Sequence, residues 1–426
     1  MLPLSSLRII DLSRALAGPL CTALLADLGA DILKVESGRG GDPARSWPPF
    51  EGSHSLYFDS VNRNKRSIAL DLYSPAGTEI LDRLIAGADA LVENFKPGTL
   101  AAMGYTDERL RELNPELVVA SVTGYGDTGP LSDRPGLDQV IQAVSGITSI
   151  TGPADSSGYR VGLPIVDLTS GMSAAIGLLA ALLGRAKHGS AAAPTDRVST
   201  SLYETALSLS VFQGQGALTL GTPPRPQGND HPSITPYGVF ETGTEPIVLA
   251  VTTAAHWRSF CAAIGGPELE HDPRFATSRD RTEHREELRP LLTELLARDS
   301  AEAWIEALNA VGIPCGAIQN YAQVLAHPHT EALGMIRDTV RGDGSALRVI
   351  RGPLNLNGAA TDVRLPPPGF GEHGAEVLAE LGIADSELAA LLADGVVVGG
   401  AASAAPGGSA SVTPGGAGAA ASGAAK

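Results

Sequence analysis

The sequence predicts an α/β protein in which a doubly wound, mostly parallel sheet is covered by helices. Buried-strand patterns alternate with amphipathic helical patterns through residue 124. In the first unit, strand patterns at residues 7–13 and 30–36 flank a helical pattern at residues 14–29. Such a βαβ unit is expected to be parallel and right-handed. A Pro-, Gly- and Asn-rich stretch at residues 222–238 marks a boundary, and the patterns beyond it predict a smaller α+β domain.

Composition excludes several classes of protein. The chain has 426 residues, of which 43% are hydrophobic and 18% charged, and its formal net charge is -16. Nucleic-acid binders and binders of anionic membranes need the opposite charge, so neither partner is predicted. The three cysteines (Cys21, Cys261 and Cys315) are far apart and lack ligand spacing, which indicates reduced thiols and a cytoplasmic location. The uncharged run at residues 168–184 includes hydroxyl side chains, so we interpret it as a core helix and not a membrane span.

The stretch at residues 160–185 carries the strongest chemical signal. A short extended segment with Pro164 leads directly into Asp167, and a helical pattern follows. The apolar positions of that helix recur at Met172, Ile176, Leu179 and Leu183. A carboxylate at the start of a helix is favoured in its ionised form by the free N–H groups and the helix dipole. Asp167 is therefore either an N-cap alone or a reactive carboxylate, and this segment leaves both open.

Basic residues cluster in and near the loops that follow the predicted strands. The loops after strands carry the basic residues Arg14, Arg39, Arg45 and Lys96, together with Asn94 and Phe95. The basic residues just before a strand are Arg63, Lys65 and Arg66. Ligands of doubly wound sheets lie at the carboxyl ends of the strands, so the cluster indicates either a phosphate-bearing ligand or ordinary surface charge. A dinucleotide is disfavoured because only Gly18 opens the first helix, without the G-x-G-x-x-G pattern.

Eight patches of this chain together resemble the class III coenzyme A transferases, the CaiB/BaiF family. They are LRIIDLSRALAGPLCTALLADLGADILKVE, GDPAR, NRNKRSIALDL, VENFKPGTLAAMGY, NPELVVASVTGYGDTGP, GLPIVDLTSGMSAAIGLLAALLGR, GNDHPSITPYGVF and GEHGAEVLAELG. They follow the family's order from residue 7 onward and omit only the C-terminal stretch.

This resemblance implies a particular architecture. Both chain ends are expected to form a large Rossmann-like domain, with the small domain inserted between them and two chains threaded through one another as an interlocked homodimer. The expected segments are a first part of the large domain (1–205), a linker (206–225), the small domain (226–334), a return to the large domain (335–395) and a tail (396–426). The tail is rich in Gly, Ala, Ser and Pro, so it is expected to be disordered and dispensable.

The resemblance also implies an activity. The family moves CoA from a donor acyl-CoA, often succinyl-CoA, to a free carboxylic acid, and it needs no metal or redox cofactor. Asp167 matches the family's nucleophilic aspartate, which forms a mixed anhydride and then an aspartyl-CoA thioester. Each step develops an oxyanion, and the backbone N–H of Gly228 in a glycine-containing loop is the candidate donor.

The CoA-binding residues are carried over by position. The match points to the loop residues Arg14 and Ala15, to Leu70 and Leu72 beside the adenine, and to Asn94 with Phe95 near the pantetheine. Some relatives have basic residues where this chain has Tyr73 and Ala102. The charges of Arg39, Lys65 and Lys96 are expected to replace them.

Two alternatives remain at this stage. Racemases of 2-methylacyl-CoA, within the same family, pair the aspartate with a histidine in a Gly-His-Asp context, but this chain has Gly136-Leu137-Asp138 there. Leu137 cannot carry a proton, so a racemase would need another base, for which His231 is the candidate. Asp138 either orients groups near Asp167 or caps a helix. The other alternative is a non-catalytic CoA-binding protein.

Overall fold

The computed structural model describes residues 2–188 and 197–399. Its strands are β1 (Arg8–Asp11), β2 (Asp31–Ser37), β3 (Phe50–Glu51), β4 (His54–Ser55), β5 (Lys65–Leu70), β6 (Ala90–Glu93), β7 (Val118–Thr123), β8 (Arg197–Ser201), β9 (Tyr237–Phe240), β10 (Ile247–Ala250), β11 (Cys315–Ala317), β12 (Ile336–Val340), β13 (Ala346–Ile350), β14 (Asn355–Leu356), β15 (Ala359–Ala360) and β16 (Val397–Val398).

Its α-helices are α1 (Ala17–Asp27), α2 (Leu56–Val61), α3 (Pro75–Ala86), α4 (Thr99–Ala102), α5 (Asp107–Leu113), α6 (Asp138–Val144), α7 (Ile165–His188), α8 (Leu202–Ser208), α9 (Val211–Leu220), α10 (Ala254–Ala263), α11 (Glu268–His271), α12 (Ser278–Glu283), α13 (Arg285–Leu296), α14 (Ala301–Ala310), α15 (Tyr321–Leu325), α16 (Pro328–Ala332), α17 (Gly374–Glu380) and α18 (Asp385–Ala393).

A seven-stranded sheet forms the centre of the molecule, in the order β16-β5-β2-β1-β6-β7-β8. The six strands from β5 to β8 in this order pair in parallel, and β16 pairs antiparallel to β5. The prediction of a mixed α/β fold with a large, mainly parallel sheet is therefore confirmed. Because the carboxyl ends of parallel strands share one edge, the loops after β1, β2, β5, β6 and β7 meet there.

Each face of this sheet is covered by its own apolar core. Successive side chains of a strand point to opposite faces, so Ile9 joins the core formed with α1, α6, α7 and α8, whereas Ile10 joins the core formed with α3, α5 and α17. Ile32 and Leu33 of β2 divide in the same way. This two-sided burial explains why the central strands are nearly continuous apolar runs.

Helix α7 packs closely against α1, and small residues make the approach possible. A Cβ placed on Gly171 would lie 2.5 Å from the carbonyl oxygen of Ala17 and 3.2 Å from the Cβ of Leu20. The residues of α7 that face the core include Ala174, Ala175, Leu178 and Ala181. The small residues therefore bring α7 against α1 with little space between them.

Three of the four residues in the apolar stripe predicted to bury α7 are exposed, whereas the fourth, Leu179, packs against the core. Met172, Ile176 and Leu183 are 45%, 69% and 55% exposed in this single chain. Within the described residues, α7 is the one helix long and apolar enough to cross a membrane, but only 39% of its most apolar window is buried, and core helices of soluble proteins share these properties. Among the residues that the structure describes, these three side chains stay exposed, which is typical of a surface that makes a further contact.

A second, smaller sheet lies in the region predicted as the small domain. Strands β9, β10 and β11 form an antiparallel sheet in the order β11-β10-β9. It packs on α10, α13 and α14 around a separate core that includes Trp257, Phe260, Leu292 and Trp304. The exact domain bounds stay a prediction, but the expected linker at residues 206–225 contains helix α9.

The C-terminal segment returns to the large sheet, and the expected tail begins too early. Val396 and Val397 are only 8% and 2% exposed, and β16 adds to the edge of the sheet beside β5. The backbone N–H of Asp71 donates to the carbonyl of Val396 at 2.8 Å. The two valines are large apolar side chains and become buried, whereas the sequence after residue 399 consists mostly of Gly, Ala, Ser and Pro. The rest of the expected tail, residues 400–426, lies outside the described residues.

Candidate active site

Asp167 lies in the first turn of α7, half-buried, and it is not an N-cap. The sequence predicts that the helix follows Asp167, whereas the helix already begins at Ile165. The capping carboxylate is that of Asp138, whose Oδ1 accepts hydrogen bonds from the backbone N–H groups of Val166 (2.8 Å) and Asp167 (3.2 Å). These N–H groups are ones that a helix cannot satisfy internally. Asp138 therefore performs both of the roles left open by the sequence: it caps α7 and it orients the backbone of Asp167.

The pKa of Asp167 is raised to about 7, first by burial of the carboxyl and second by the nearby negative charge of Asp138. The sequence-based expectation that the helix N-terminus keeps this carboxylate ionised was wrong in direction. The N–H groups expected to stabilise the Asp167 charge are bonded to Asp138 instead. The Asp167 carboxylate is therefore destabilised by its burial and by repulsion from the Asp138 carboxylate.

Asp138 is itself held in place by a buried amide. The Nε2 of Gln142 donates to Asp138 Oδ2 at 2.6 Å, and the Oε1 of Gln142 accepts from the N–H of Val161 at 2.8 Å. Gln142 is fully buried. The position of the α7 N-terminus therefore depends on a continuous set of hydrogen bonds from Val161 through Gln142 and Asp138.

Tyr57 is a site residue that the sequence analysis missed. Its pKa is raised to about 12 by burial and by the charges of Asp167, then Asp138, then Asp42. Trp47 packs edge-to-face on the Tyr57 ring, with the ring centroids 5.1 Å apart. No local pattern distinguishes Tyr57 from an ordinary residue of α2. Only the tertiary structure reveals that the Tyr57 phenol lies near enough to the Asp167 carboxylate to be affected by its charge.

The loops after β1 and β6 are joined at the carboxyl edge of the sheet. Asn94 Oδ1 accepts from the N–H of Arg14 at 2.8 Å, and Asn94 Nδ2 donates to the carbonyl of Arg14 at 2.7 Å. The Arg14 guanidinium lies over the Phe95 ring, 5.1 Å from its centroid. Lys96 follows and is exposed. The structure thus brings together residues that the resemblance assigns to one CoA site.

The loops after β2 and β5 form the neighbouring part of this edge. The exposed Arg39 lies over the ring of Tyr73, 4.7 Å from its centroid, and 3.6 Å from the Asp71 carboxylate. Leu72 is half-buried beside Tyr73, whereas Leu70 is fully buried in β5. Leu70 can therefore meet a ligand only indirectly, and its carbonyl is already bonded to the N–H of Gly38 at 2.7 Å.

Lys65 does not belong to the CoA site. It is fully buried, and its Nζ donates to Asp11 Oδ2 (3.1 Å), the Pro19 carbonyl (2.9 Å) and Asn62 Oδ1 (2.9 Å). The prediction that it replaces a phosphate-binding charge was wrong, because the ammonium group is fully buried and its hydrogen bonds are made to Asp11, Pro19 and Asn62. Three other basic residues of the predicted cluster form ion pairs inside the chain: Arg45 with Glu36, Arg63 with Asp27, and Arg66 with Asp31.

Gly228 is not free to serve as an oxyanion donor in this conformation. Its backbone N–H donates to the carbonyl of Gly152 at 2.8 Å, and its φ of 62° is in the left-handed region. The preceding residue, Gln227, accepts from Arg285 of α13 through its Oε1 at 3.1 Å. The glycine-containing segment would have to move before this N–H could reach a substrate.

His231 occupies an aromatic stack in the same segment. Its ring lies between Phe212 and Tyr237, with centroid distances of 6.1 and 5.1 Å. The ring Nδ1 accepts from the N–H of Ser233 at 3.2 Å, and burial followed by the charge of Arg285 lowers the His231 pKa. This stacked ring offers no observation in favour of a second base paired with Asp167.

Leu137 precedes α6 and is 70% exposed. The position at which a racemase would carry its histidine therefore has an exposed apolar side chain that cannot transfer a proton. Within residues 2–188 and 197–399, no group of three or more His, Cys, Asp or Glu side chains is placed to hold a metal ion.

Comparisons with known proteins agree with this geometry and define the class of enzyme as CoA-transferase. Residues 4–374 match the model of CoA-transferase family III, and the chain belongs to that family. It is 38% identical to an acyl-CoA transferase of Fusarium pseudograminearum, over 92% of this chain and 88% of the relative. It is 35% identical to a succinate–glutarate CoA-transferase of Agrobacterium fabrum, over 89% and 96% of the two chains. The crystal structure of a CaiB/BaiF family protein from Brucella suis matches with a TM-score of 0.78 at 34% identity, over 89% and 99% of the chains.

Proposed function

We propose that this CoA-transferase moves CoA from succinyl-CoA to a second carboxylic acid through covalent intermediates on Asp167. The observation that carries the proposal is the half-buried Asp167 carboxyl, with a pKa of about 7, at the ligand edge of the sheet. A carboxylate in a poorly solvated site is a better nucleophile than one in water, and a pKa near 7 keeps part of it ionised at neutral pH. Glutarate is the first acceptor to test, since the Agrobacterium fabrum relative is named for succinate and glutarate.

The proposed chemistry proceeds through exchange of acyl groups on one carboxylate. Asp167 attacks the thioester carbonyl of the donor, which gives a mixed anhydride and the CoA thiolate. The thiolate attacks the aspartyl carbonyl, which gives an aspartyl-CoA thioester and releases the donor acid. The acceptor carboxylate attacks that thioester and forms a second anhydride, and the thiolate then attacks the new acyl carbonyl. Asp167 leaves as a free carboxylate, so no redox or metal step is needed.

The residues at the carboxyl edge are proposed to hold CoA. Arg14, Arg39 and Lys96 offer the exposed positive charges, and Phe95 offers an apolar surface for the pantetheine. Backbone groups of Ala15 and the side chains of Leu72 and Asn94 complete the proposed set, with Leu70 behind them. A non-catalytic CoA-binding protein would have no use for a carboxyl with a raised pKa at this edge.

We also propose that two chains form an interlocked homodimer in the cytoplasm. The support is the apolar surface left uncovered by a single chain: Ile176 (69% exposed), Val211 (64%), Phe212 (57%), Leu218 (82%) and Leu220 (77%). Large apolar side chains that are exposed in such number on two helices are typical of an interface. Sedimentation should give the mass of two chains, and two differently tagged preparations should not exchange subunits without denaturant; rapid exchange would contradict the interlocked arrangement.

The covalent mechanism is tested by intact-protein mass spectrometry. Wild type incubated with succinyl-CoA alone should acquire an adduct of the mass expected for a CoA thioester, and added glutarate should discharge it as glutaryl-CoA. Asp167→Asn keeps the size of the side chain but loses the nucleophile, so it should form no adduct and lose turnover by about 10⁴-fold or more. Asp155→Asn, in an exposed loop, is the matched control and should behave as wild type. An adduct on Asp167→Asn would refute the assignment.

A further inference from the structure

In the loop after β1, side chains of other residues make hydrogen bonds to the backbone of Ser13 and Arg14. The N–H of Ser13 donates to Asp11 Oδ1 at 2.9 Å, and the carbonyl of Ser13 accepts from Lys34 Nζ at 2.8 Å. Both backbone groups of Arg14 are bonded to the amide of Asn94, at 2.8 and 2.7 Å. Asp11 and Lys34 are buried, so these bonds are shielded from water. Four successive backbone groups thus have partners outside the loop.

The next residue, Ala15, has an unfavourable backbone conformation. Its φ is 65°, in the left-handed region that an L-residue with a Cβ adopts only at a cost. No glycine relieves this cost, and the chain continues directly into α1. Something in the surrounding structure must therefore stabilise the Ala15 conformation.

Asp42 is the side chain in contact with this strained position. Its Oδ1 accepts from the N–H of Ala15 at 3.0 Å and from the N–H of Ala44 at 2.9 Å. Its Oδ2 lies 2.9 Å from the Nζ of Lys34, which also bonds the Ser13 carbonyl. Asp42 is 1% exposed. One buried carboxylate therefore joins Ala15 to the same lysine that holds Ser13.

We propose that Asp42 is a positioning residue for CoA, which acts by holding Ala15 in the left-handed conformation. The inference rests on the proposed function, in which the Arg14–Ala15 backbone borders the ligand. A loop that is already fixed in its binding conformation loses no further freedom when CoA binds. Without the Asp42 carboxylate, Ala15 relaxes to negative φ, the loop changes shape, and CoA must reorder it.

Asp42→Asn is the first variant to make. An amide cannot accept from Ala15 and Ala44 and also pair with Lys34, because its NH₂ faces either the two N–H donors or the ammonium group. We expect the Kd of CoA in isothermal titration calorimetry and the KM of succinyl-CoA to rise about tenfold or more. The kcat at saturating acyl-CoA should change less than about threefold, since Asp42 does not touch the reacting atoms.

The deciding measurement is a rescue at a different residue. Glycine adopts positive φ without cost, so Ala15→Gly in the Asp42→Asn background should restore most of the lost CoA affinity. Asn357→Gly is the matched control, because Asn357 also has a positive φ (51°) but lies in an exposed turn between β14 and β15. It should leave the affinity of Asp42→Asn unchanged. Failure of Ala15→Gly to rescue a folded Asp42→Asn protein would overturn the proposal.

A second pair of variants covers the case in which Asp42→Asn does not fold. Asn and Val are similar in size, but Asn tolerates the left-handed region and Val does not. Ala15→Asn should bind CoA at least about tenfold more tightly than Ala15→Val, and equal binding would overturn the proposal. If wild type itself binds no CoA, the proposed function fails first. If wild type binds and the variants do not follow this pattern, only the role of Asp42 fails.

Discussion

At the scale of single residues, the site depends on two carboxyls that share the start of α7. The Asp138 carboxylate is stabilised there, because it accepts hydrogen bonds from the backbone N–H groups of Val166 and Asp167. The Asp167 carboxylate is destabilised, because burial and the Asp138 charge raise its pKa to about 7. The proposed nucleophile is thus placed where its ionised form is destabilised, which is a common cost of active sites.

This cost predicts that Asp167→Asn is stabilising in a pH-dependent way. The folded-state pKa of about 7 lies above the usual unfolded value of about 3.9, so the folded state binds the proton more tightly. Wild type therefore loses stability as the pH rises from about 4 through about 7, whereas the amide does not titrate. The gain in melting temperature of Asp167→Asn over wild type should be larger at about pH 8 than at about pH 5. A gain independent of pH would contradict the raised pKa.

Asp138→Asn should lower the pKa of Asp167. The amide oxygen can still accept from the α7 N-terminus, but the like charge is gone, so the acidic limb of the kcat/KM profile should move down by about one pH unit. Tyr57 stays neutral throughout this range, with its pKa of about 12. An unmoved limb would show that Asp138 does not set the Asp167 pKa.

The double variant Asp138→Asn with Gln142→Glu separates charge from hydrogen bonding. The NH₂ group introduced by Asp138→Asn can donate to the carboxylate introduced by Gln142→Glu, whose other oxygen can accept from Val161 as Gln142 does now. Melting temperature should recover relative to Asp138→Asn alone. The acidic limb should remain below that of wild type, because the charge is then farther from Asp167.

At the scale of elements, the approach of α7 to α1 determines where Asp167 lies. Gly171→Ala would bring a Cβ to 2.5 Å from the carbonyl oxygen of Ala17, which is backbone and cannot move aside cheaply. We expect a loss of about 1–3 kcal/mol in the free energy of unfolding and a lower kcat, measured by urea unfolding and by turnover.

The same helix offers the control. Gly184 has nothing within 4 Å of an added Cβ, so Gly184→Ala should stabilise the chain by about 0.8–1 kcal/mol through helix propensity alone. Equal effects of the two substitutions would show that the α1–α7 contact does not constrain the helix.

At the scale of the whole molecule, the C-terminal strand closes the sheet beside the proposed CoA site. A chain ending after Gly395 lacks the buried Val396 and Val397, and the N–H of Asp71 loses its bond to the Val396 carbonyl. We expect this truncation to cost on the order of 3 kcal/mol and to weaken CoA binding. A chain ending after Gly399 should match the full chain in melting temperature and activity. Equal stability of the two truncations would contradict the role of β16.

Several features of this protein could be predicted from local sequence patterns. The βα alternation, the boundary near residue 222 and the carboxylate at the start of a long helix follow from periodicity, turn residues and a helix-start signal, which act between near neighbours in the chain. The order of eight short patches then indicated the family and pointed to Asp167, and the comparisons confirm the family.

Tertiary packing decided the rest, because it depends on residues distant in sequence. Lys65 and Arg14 look alike as basic residues near strands, yet one is buried against Asp11 and the other is exposed at the ligand edge. Met172, Ile176 and Leu183 of α7 are exposed because Gly171 and its small neighbours occupy the side that contacts α1. The direction of the Asp167 pKa shift depends on the burial of that carboxyl and on the position of Asp138. The effect of the Asp167 charge on the Tyr57 pKa depends on the tertiary structure, because the two residues are distant in sequence. Burial and electrostatic environment are properties of assembled surfaces, so no single stretch of sequence contains them.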